Sequence, residues 1–271
     1  MRRKAPPANV TVHKIARFGW VPDLPDQRDY LYSAPVVSLK ALPTRVDLRK
    51  SCPPVYDQGQ LGSCTANAIG GAVQFARRKQ KKKPDFPPSR LFIYYNEREI
   101  EGTVSQDSGA QIRDGVKSVA NQGVCPETDW PYDSSAYPPN PRLTMKPTPQ
   151  CYATALKCRL AAYQRVPRVL SQMRGCLAAG HPFIFGFAVY ESFESAVVAK
   201  TGVVPMPSAS ETMVGGHAVL AVGYDDTSHR FIVRNSWGTG WGLKGYFTMP
   251  YAYLLDANLS DDFWTVSGLT G

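Results

Sequence analysis

A thiol, an imidazole and a carboxamide stand in this chain in settings that suit attack on a carbonyl. Cys64 lies in DQGQLGSCTANA (57–68), His217 in GGHAVLAVGYDD (215–226) and Asn235 in RNSWGTGWGLKGYF (234–247). Cys64 precedes His217 by 153 residues, and Asn235 follows 18 later. A thiol that attacks a carbonyl needs a base to ionise it and a third group to orient that base. Residues far apart in sequence fill such roles by meeting across a cleft.

Cys64 follows Gly62 and Ser63 at the expected start of a helix, where unpaired amides and the positive end of the dipole favour a thiolate. A lone cysteine is more often a small packed hydrophobe. Here Gln58 lies six residues upstream, and its amide with the backbone N–H of Cys64 would make an oxyanion hole. Taken alone, Gln58 reads as a loop residue bonding backbone. Gly215 and Gly216 lead into His217, and the missing side chains would let a ligand backbone approach. Asn235 would accept the imidazole N–H and set its tautomer, with Trp237 shielding that bond. The plainer reading of Trp237, Trp241 and their interleaved glycines is a packed loop with aromatic anchors.

The elements that must position these groups are legible in outline. With 271 residues, 43% of them hydrophobic and 20% charged, the chain suits one large domain or two lobes sharing a core. A short strand is expected at 44–49, then a helix from Cys64 whose Ala66, Ile69, Ala72, Val73 and Ala76 share a face. Further helices are expected at 88–100 and 110–122, followed by a proline-rich surface loop at 131–150. The second half turns β-rich, with strands expected at 182–190, 217–224, 230–235 and 245–250 and helical segments near 167–180 and 191–199.

Charge and cysteine usage narrow the classes. The formal charge is +9, and RRKQKKK (77–83) is its densest run. It reads as a solvated helix C-terminus or as a contact for an acidic surface. No aromatic residue interleaves with it, which argues against a specific nucleic-acid partner. No apolar run approaches the ~20 residues of a membrane span. The N-terminal stretch is basic and lacks the apolar core of a secretory signal, which leaves open a cytoplasmic location, export by another route or a signal already removed. The six cysteines include no C-x-x-C pair and the four histidines are scattered, so no metal or other cofactor is expected. Cys52 and Cys125, each followed by proline, are the first candidates for a bridge, with the connectivity left open.

DQGQLGSC, GGHAVLAVGY and NSWGTGWGLKGYF resemble the papain-like cysteine peptidases, over about Leu42 to Val266. The likeness is greatest to bacterial members with a short N-terminal extension. The resemblance implies an α+β two-lobe fold, with a helical left lobe (42–155) carrying Cys64 and a β-barrel-like right lobe (156–271) carrying His217 and Asn235. The active cleft would lie between the lobes. It implies Gln58 as oxyanion donor, Trp237 and Trp241 as cleft walls, and Ser108 and Gly109 as backbone partners of an extended substrate. It also places Asp261 at the floor of the main specificity pocket, with Gly216 as a wall lacking a side chain. A one-residue slip would exchange Asp261 for Asp262.

The chain departs from the family at two sites. Leu61 stands where a bridged cysteine is usual, and Thr65 stands where a tryptophan usually follows the nucleophile. The loop under Gln58 is therefore expected to be held differently, through Cys52. No long helical propeptide precedes the core. Residues 1–41 are instead expected to form an inhibitory prosegment. The Pro22- and Pro25-containing stretch at 19–32 would lie in the chain's own cleft, making the protein a zymogen. The expected function is a cysteine endopeptidase acting on protein or peptide substrates through an acyl-enzyme. An acyltransferase would use the same triad, whereas a non-catalytic binding module would be expected to have lost one of Gln58, Cys64, His217 and Asn235.

Overall fold

Alternation along PFIFGFAVY sets the layering of the molecule. In this computed structural model, which describes residues 18–135, 138 and 140–270, that segment is a buried strand. Phe183, Phe185, Phe187 and Val189 face one core and Ile184 the other. Such a strand needs cover on both faces. Residues 1–17 of the expected extension lie outside the described residues.

The elements in chain order are α1 (Val36–Lys40), β1 (Arg45–Asp47), α2 (Cys64–Lys79), α3 (Arg90–Glu101), α4 (Ile112–Gln122), α5 (Pro149–Ala155), β2 (Arg159–Arg165), α6 (Leu170–Ala178), β3 (Phe183–Tyr190), α7 (Ala196–Thr201), β4 (Met213–Asp225), β5 (Arg230–Arg234), β6 (Tyr246–Pro250), α8 (Tyr251–Leu255) and β7 (Ser260–Thr270). On one side of the sheet, α2 lays Ala66, Ile69, Ala72 and Val73 into a core shared with Ala218, Leu220 and Val222 of β4 and Ile232 of β5. On the other side, Val219 and Ala221 join Phe231, Val233, Phe247 and the β3 phenylalanines. The period-2 alternation of β4 thus serves both cores.

Local chemistry sets the helix ends. The Ser89 hydroxyl caps α3 by accepting from the Phe92 N–H at 3.2 Å, and Gly102, at φ 72°, closes it in the left-handed conformation. α2 ends on Arg77, Arg78 and Lys79, so the basic run begins at a helix C-terminus, where cations oppose the dipole.

The sheet corrects one expectation. A barrel-like right lobe requires a closed ring of strands. The observed order is β2-β7-β3-β4-β5-β6, an open path with β1 paired beside β4. Irregular chain touches each free edge at one point: Leu31 bridges Arg165 beside β2, and Val203 bridges Thr248 beside β6. β2 and α5 were not expected, because their sequences carry no clean period and α5 lies at the end of the proline-rich stretch.

The candidate Cys52–Cys125 bridge is not formed. All six cysteines are free and buried. Cys52 sits beside Leu48, Arg234 and Tyr246, whereas Cys125 faces Cys151 and Asp129. The two thiols belong to different neighbourhoods of the fold. Among the described residues no helix is long and apolar enough to cross a membrane.

Candidate active site

Cys64 opens α2 as expected. The loop before it is held by a carboxylate and a phenol, not by Cys52. Both Asp107 carboxylate oxygens accept from the Gly62 N–H, at 3.1 and 3.0 Å. Tyr132 bonds the Ser63 hydroxyl at 2.6 Å and donates to the Gln58 carbonyl at 2.9 Å. Ser63, in the capping position, therefore spends its hydroxyl on the loop and leaves the helix amides uncapped by its side chain. Asp107 and Tyr132 were not singled out in the sequence, since nothing near either marks it as a loop anchor.

Gln58 is fully buried. Its Oε1 accepts from the Ser236 hydroxyl at 2.7 Å and its Nε2 donates to the Leu61 carbonyl at 2.9 Å. The amide is thereby oriented, and one of its two N–H donors is not committed by that bond. Ser236 comes from the segment that carries Asn235, so this bond ties the Gln58 loop to the β5 end.

His217 and Asn235 meet across neighbouring strands. Asn235 Oδ1 lies 2.8 Å from His217 Nε2 and also accepts from the Ser236 N–H at 2.8 Å. The Trp237 ring lies 5.1 Å from the imidazole, centroid to centroid, and Trp241 crosses Trp237 edge-on at the same separation. Both tryptophans are buried with Phe193 and Phe247.

Cys64 is 0% exposed. Burial pushes its thiol up to about 12, against the opposing pull of backbone amides at Ala218, Gly19 and Thr65. Behind it, the Thr65 hydroxyl donates to Glu97 at 2.6 Å. Burial holds the Glu97 carboxyl well above the usual carboxylate range.

Residues 18–32 contribute to this burial. The Gly19 carbonyl accepts from the Ala110 N–H at 2.8 Å, and the Val21 N–H donates to the Ala110 carbonyl at 3.1 Å. The Trp20 N–H donates to the Gly216 carbonyl at 3.0 Å. The bonded backbone is Ala110, one residue past the expected pair. Gly109, at φ 74°, is needed for the approach, since a Cβ there would lie 2.3 Å from the Gly19 oxygen. Ser108 turns its hydroxyl to Thr103 and to the Gly109 carbonyl. The Trp20 ring lies over Gly186 and Gly216, where added Cβ atoms would sit 1.9 and 2.8 Å from it. Gly186 was missed in the sequence, although a glycine inside a phenylalanine-rich strand is a signal for close approach.

The two candidate carboxylates share Arg165 and differ in burial. Asp262 is 1% exposed at its side chain, pairs with Arg165 at 3.1 Å and accepts from the Trp20 indole N–H at 3.0 Å. Asp261 is 44% exposed and pairs with Arg165 and Arg168 at 3.0 and 3.1 Å. Asp262 adopts φ 57°. Trp264 shares a core with Trp20, and period-2 alternation counted back from it puts Asp262 on that side.

Cys64 at the start of α2, His217 on β4, Asn235 just past β5 and Gln58 in the loop before α2 are all buried. The model of the papain family cysteine protease matches residues 42–254, and the chain belongs to that family; it is a cysteine endopeptidase. The chain is 47% identical to xylellain, a cysteine protease from Xylella fastidiosa, whose crystal structure superposes with a TM-score of 0.87 over 92% of this chain and 95% of that one. It is 42% identical to an uncharacterized peptidase C1-like protein of Acanthamoeba polyphaga mimivirus, over 93% of this chain and 87% of that one. Cathepsin K of Gallus gallus is 30% identical over 75% of this chain, which spans only 58% of that longer protein.

Proposed function

We propose that Cys64 is the nucleophile, His217 its base and acid, Asn235 the group that orients the imidazole, and Gln58 the side-chain oxyanion donor. The observation that carries this is the 2.8 Å contact of His217 Nε2 with Asn235 Oδ1. It commits one ring nitrogen to the carboxamide and leaves Nδ1 as the nitrogen for proton transfer. Cys64 Sγ attacks the peptide carbonyl, and the oxyanion is held by the Gln58 amide and the Cys64 N–H. His217 then protonates the leaving amine, and water hydrolyses the thioester. Trp237 keeps water from the His217–Asn235 bond. In this division residues 42–155 supply the nucleophile and 156–271 the base.

Residues 1–41 act in this reading as an inhibitory prosegment of a zymogen. Support comes from the backbone bonds of Gly19, Trp20 and Val21 to Ala110 and Gly216 and from the complete burial of Cys64. Gly109, Ala110 and Gly216 then serve substrate backbone once the segment leaves. Trp20 marks the main side-chain pocket, with Gly186 and Gly216 as its open walls and Asp262 as its carboxylate. The test is turnover of a fluorogenic peptide library by the wild-type chain, the Cys64→Ala variant and a chain lacking residues 1–41, with N-terminal sequencing of the active species. Turnover that needs Cys64 and rises on truncation is expected. A folded truncation no more active than the full chain would remove the prosegment from this reading.

A further inference from the structure

The basic run lines a pocket at the end of the nucleophile's helix away from the cleft. Arg77 stands thirteen residues after Cys64 in α2, roughly 20 Å along the axis at ~1.5 Å per residue. Beside it lies a pocket of ≈ 270 Å³ whose wall includes Arg77, Lys82, Lys83 and Lys157 and no carboxylate. Its floor is apolar, with Pro84, Phe86 and Pro126. Asp85, two residues past the run, turns instead to Arg78 at 3.6 Å and Gln74 at 3.2 Å.

Arg77 is only 6% exposed. Its guanidinium stacks on the Phe86 ring at 3.8 Å and donates to the Pro84 carbonyl at 2.7 Å and the Cys158 thiol at 3.3 Å. Its Nε is buried without a hydrogen-bond partner among the described residues. No carboxylate forms an ion pair with it among the described residues. A guanidinium keeps its charge when buried, and burying that charge without a counterion is costly. The pocket is therefore positive and lacks a counterion in its wall among the described residues.

We propose that this pocket is an exosite for an acidic segment of a polypeptide substrate. An apolar side chain enters against Phe86 and Pro126, and flanking carboxylates meet Arg77, Lys83 and Lys157. The proposal rests on the peptidase reading, which makes polypeptides the molecules at hand. A nucleic-acid strand fits less well, because the one aromatic face on the floor is already covered by Arg77 and offers no stacking platform.

Binding is measured on the full chain carrying Cys64→Ala, by anisotropy of labelled peptides of equal length. One peptide has glutamates flanking a leucine, and the others are neutral or basic around the same leucine. The acidic peptide should bind about tenfold more tightly than the neutral one, a difference that surface charge pairs acting together can supply. The preference should fall with salt and vanish in the Lys83→Glu/Lys157→Glu double variant, whose altered side chains are exposed. In the active chain, an acidic extension on a scissile peptide should lower KM, and the double variant should abolish that gain while leaving turnover of a short neutral peptide unchanged. Equal binding of all peptides overturns the proposal. So does an acidic preference that survives the double variant or is displaced by a short cleft-directed peptide. Saturable binding of inorganic phosphate without preference for the acidic peptide also overturns it, in favour of a simple anion site. Because the binding arm uses the Cys64→Ala variant, a loss of turnover cannot masquerade as failure of the exosite.

Discussion

Asp23 and Asp262 are held against each other at the buried end of the Trp20 pocket, where Asp262 Oδ2 accepts the Asp23 backbone N–H at 2.8 Å. The Asp23 carboxyl in turn accepts from the Trp264 indole at 2.8 Å and from the Arg113 N–H at 3.1 Å. One acid comes from the proposed prosegment and the other from β7, so their mutual charge bears directly on how tightly the segment is held.

Burial and the neighbouring Asp262 charge push Asp23 up to about 7, with the Trp264 and Arg113 bonds acting the other way. Burial followed by the Asp261 charge likewise raises Asp262, against the Asp23 N–H, Arg165 and Trp20. A raised carboxyl binds its proton more tightly when docked than when free. Its contribution to docking is complete below the free value and is lost as pH rises through about 7. Latency of the full chain should therefore be deepest in mild acid and relax above about pH 7. Asp23→Asn, permanently neutral, should stay latent into mild alkali. Activity profiles of the two chains against pH check this, and profiles of identical shape would contradict it.

Asp29 meets Arg113 at 2.6 Å with side chains 7% and 5% exposed. Removing one partner of a buried ion pair costs about 3–5 kcal/mol. Asp29→Ala should loosen the segment and raise kcat/KM on a small fluorogenic peptide by at least about tenfold, the equivalent of ~1.4 kcal/mol. Unchanged kcat/KM together with unchanged protease sensitivity of residues 18–32 would show that this pair is no clasp.

Cys64 should react with iodoacetamide slowly in the full chain and much faster once residues 1–41 are removed. Burial is the first cause of its raised value, and readmitting water removes that cause. Peptide mapping of alkylated cysteines follows all six at once. In the truncated chain Cys64 should outpace the other five, and equal rates at every cysteine would count against a catalytic thiol.

Asp262→Ala and Asp261→Ala should separate on matched substrates with arginine or leucine at the Trp20 subsite. Loss of the buried Asp262 should weaken cleavage of the arginine substrate by more than about tenfold, because an enclosed carboxylate can make a charge-assisted pair with guanidinium. Loss of Asp261, 44% exposed and turned to Arg168 instead of Trp20, should affect both substrates alike. The reverse pattern would return the subsite to Asp261.

Much of the frame was legible in the chain itself. The apolar spacing after Cys64 announced α2, and β-branched and aromatic content announced β3 and the strand carrying His217, with Asn235 buried just past the end of β5. These features are short-range, since periodicity and glycine placement act within a few residues. Tertiary structure decided what depends on distant segments arriving at one place. It brought Asp107 and Tyr132 under the Gln58 loop in place of a cysteine bridge. It set Trp20 over Gly186 and Gly216. It left the sheet open, with chain at Leu31 and Val203 bridging its two edges. It also turned Asp262, not Asp261, toward Trp20. Strand alternation says which residues share a face but not which core that face meets, and the arrival of Trp20 beside Trp264 decided that.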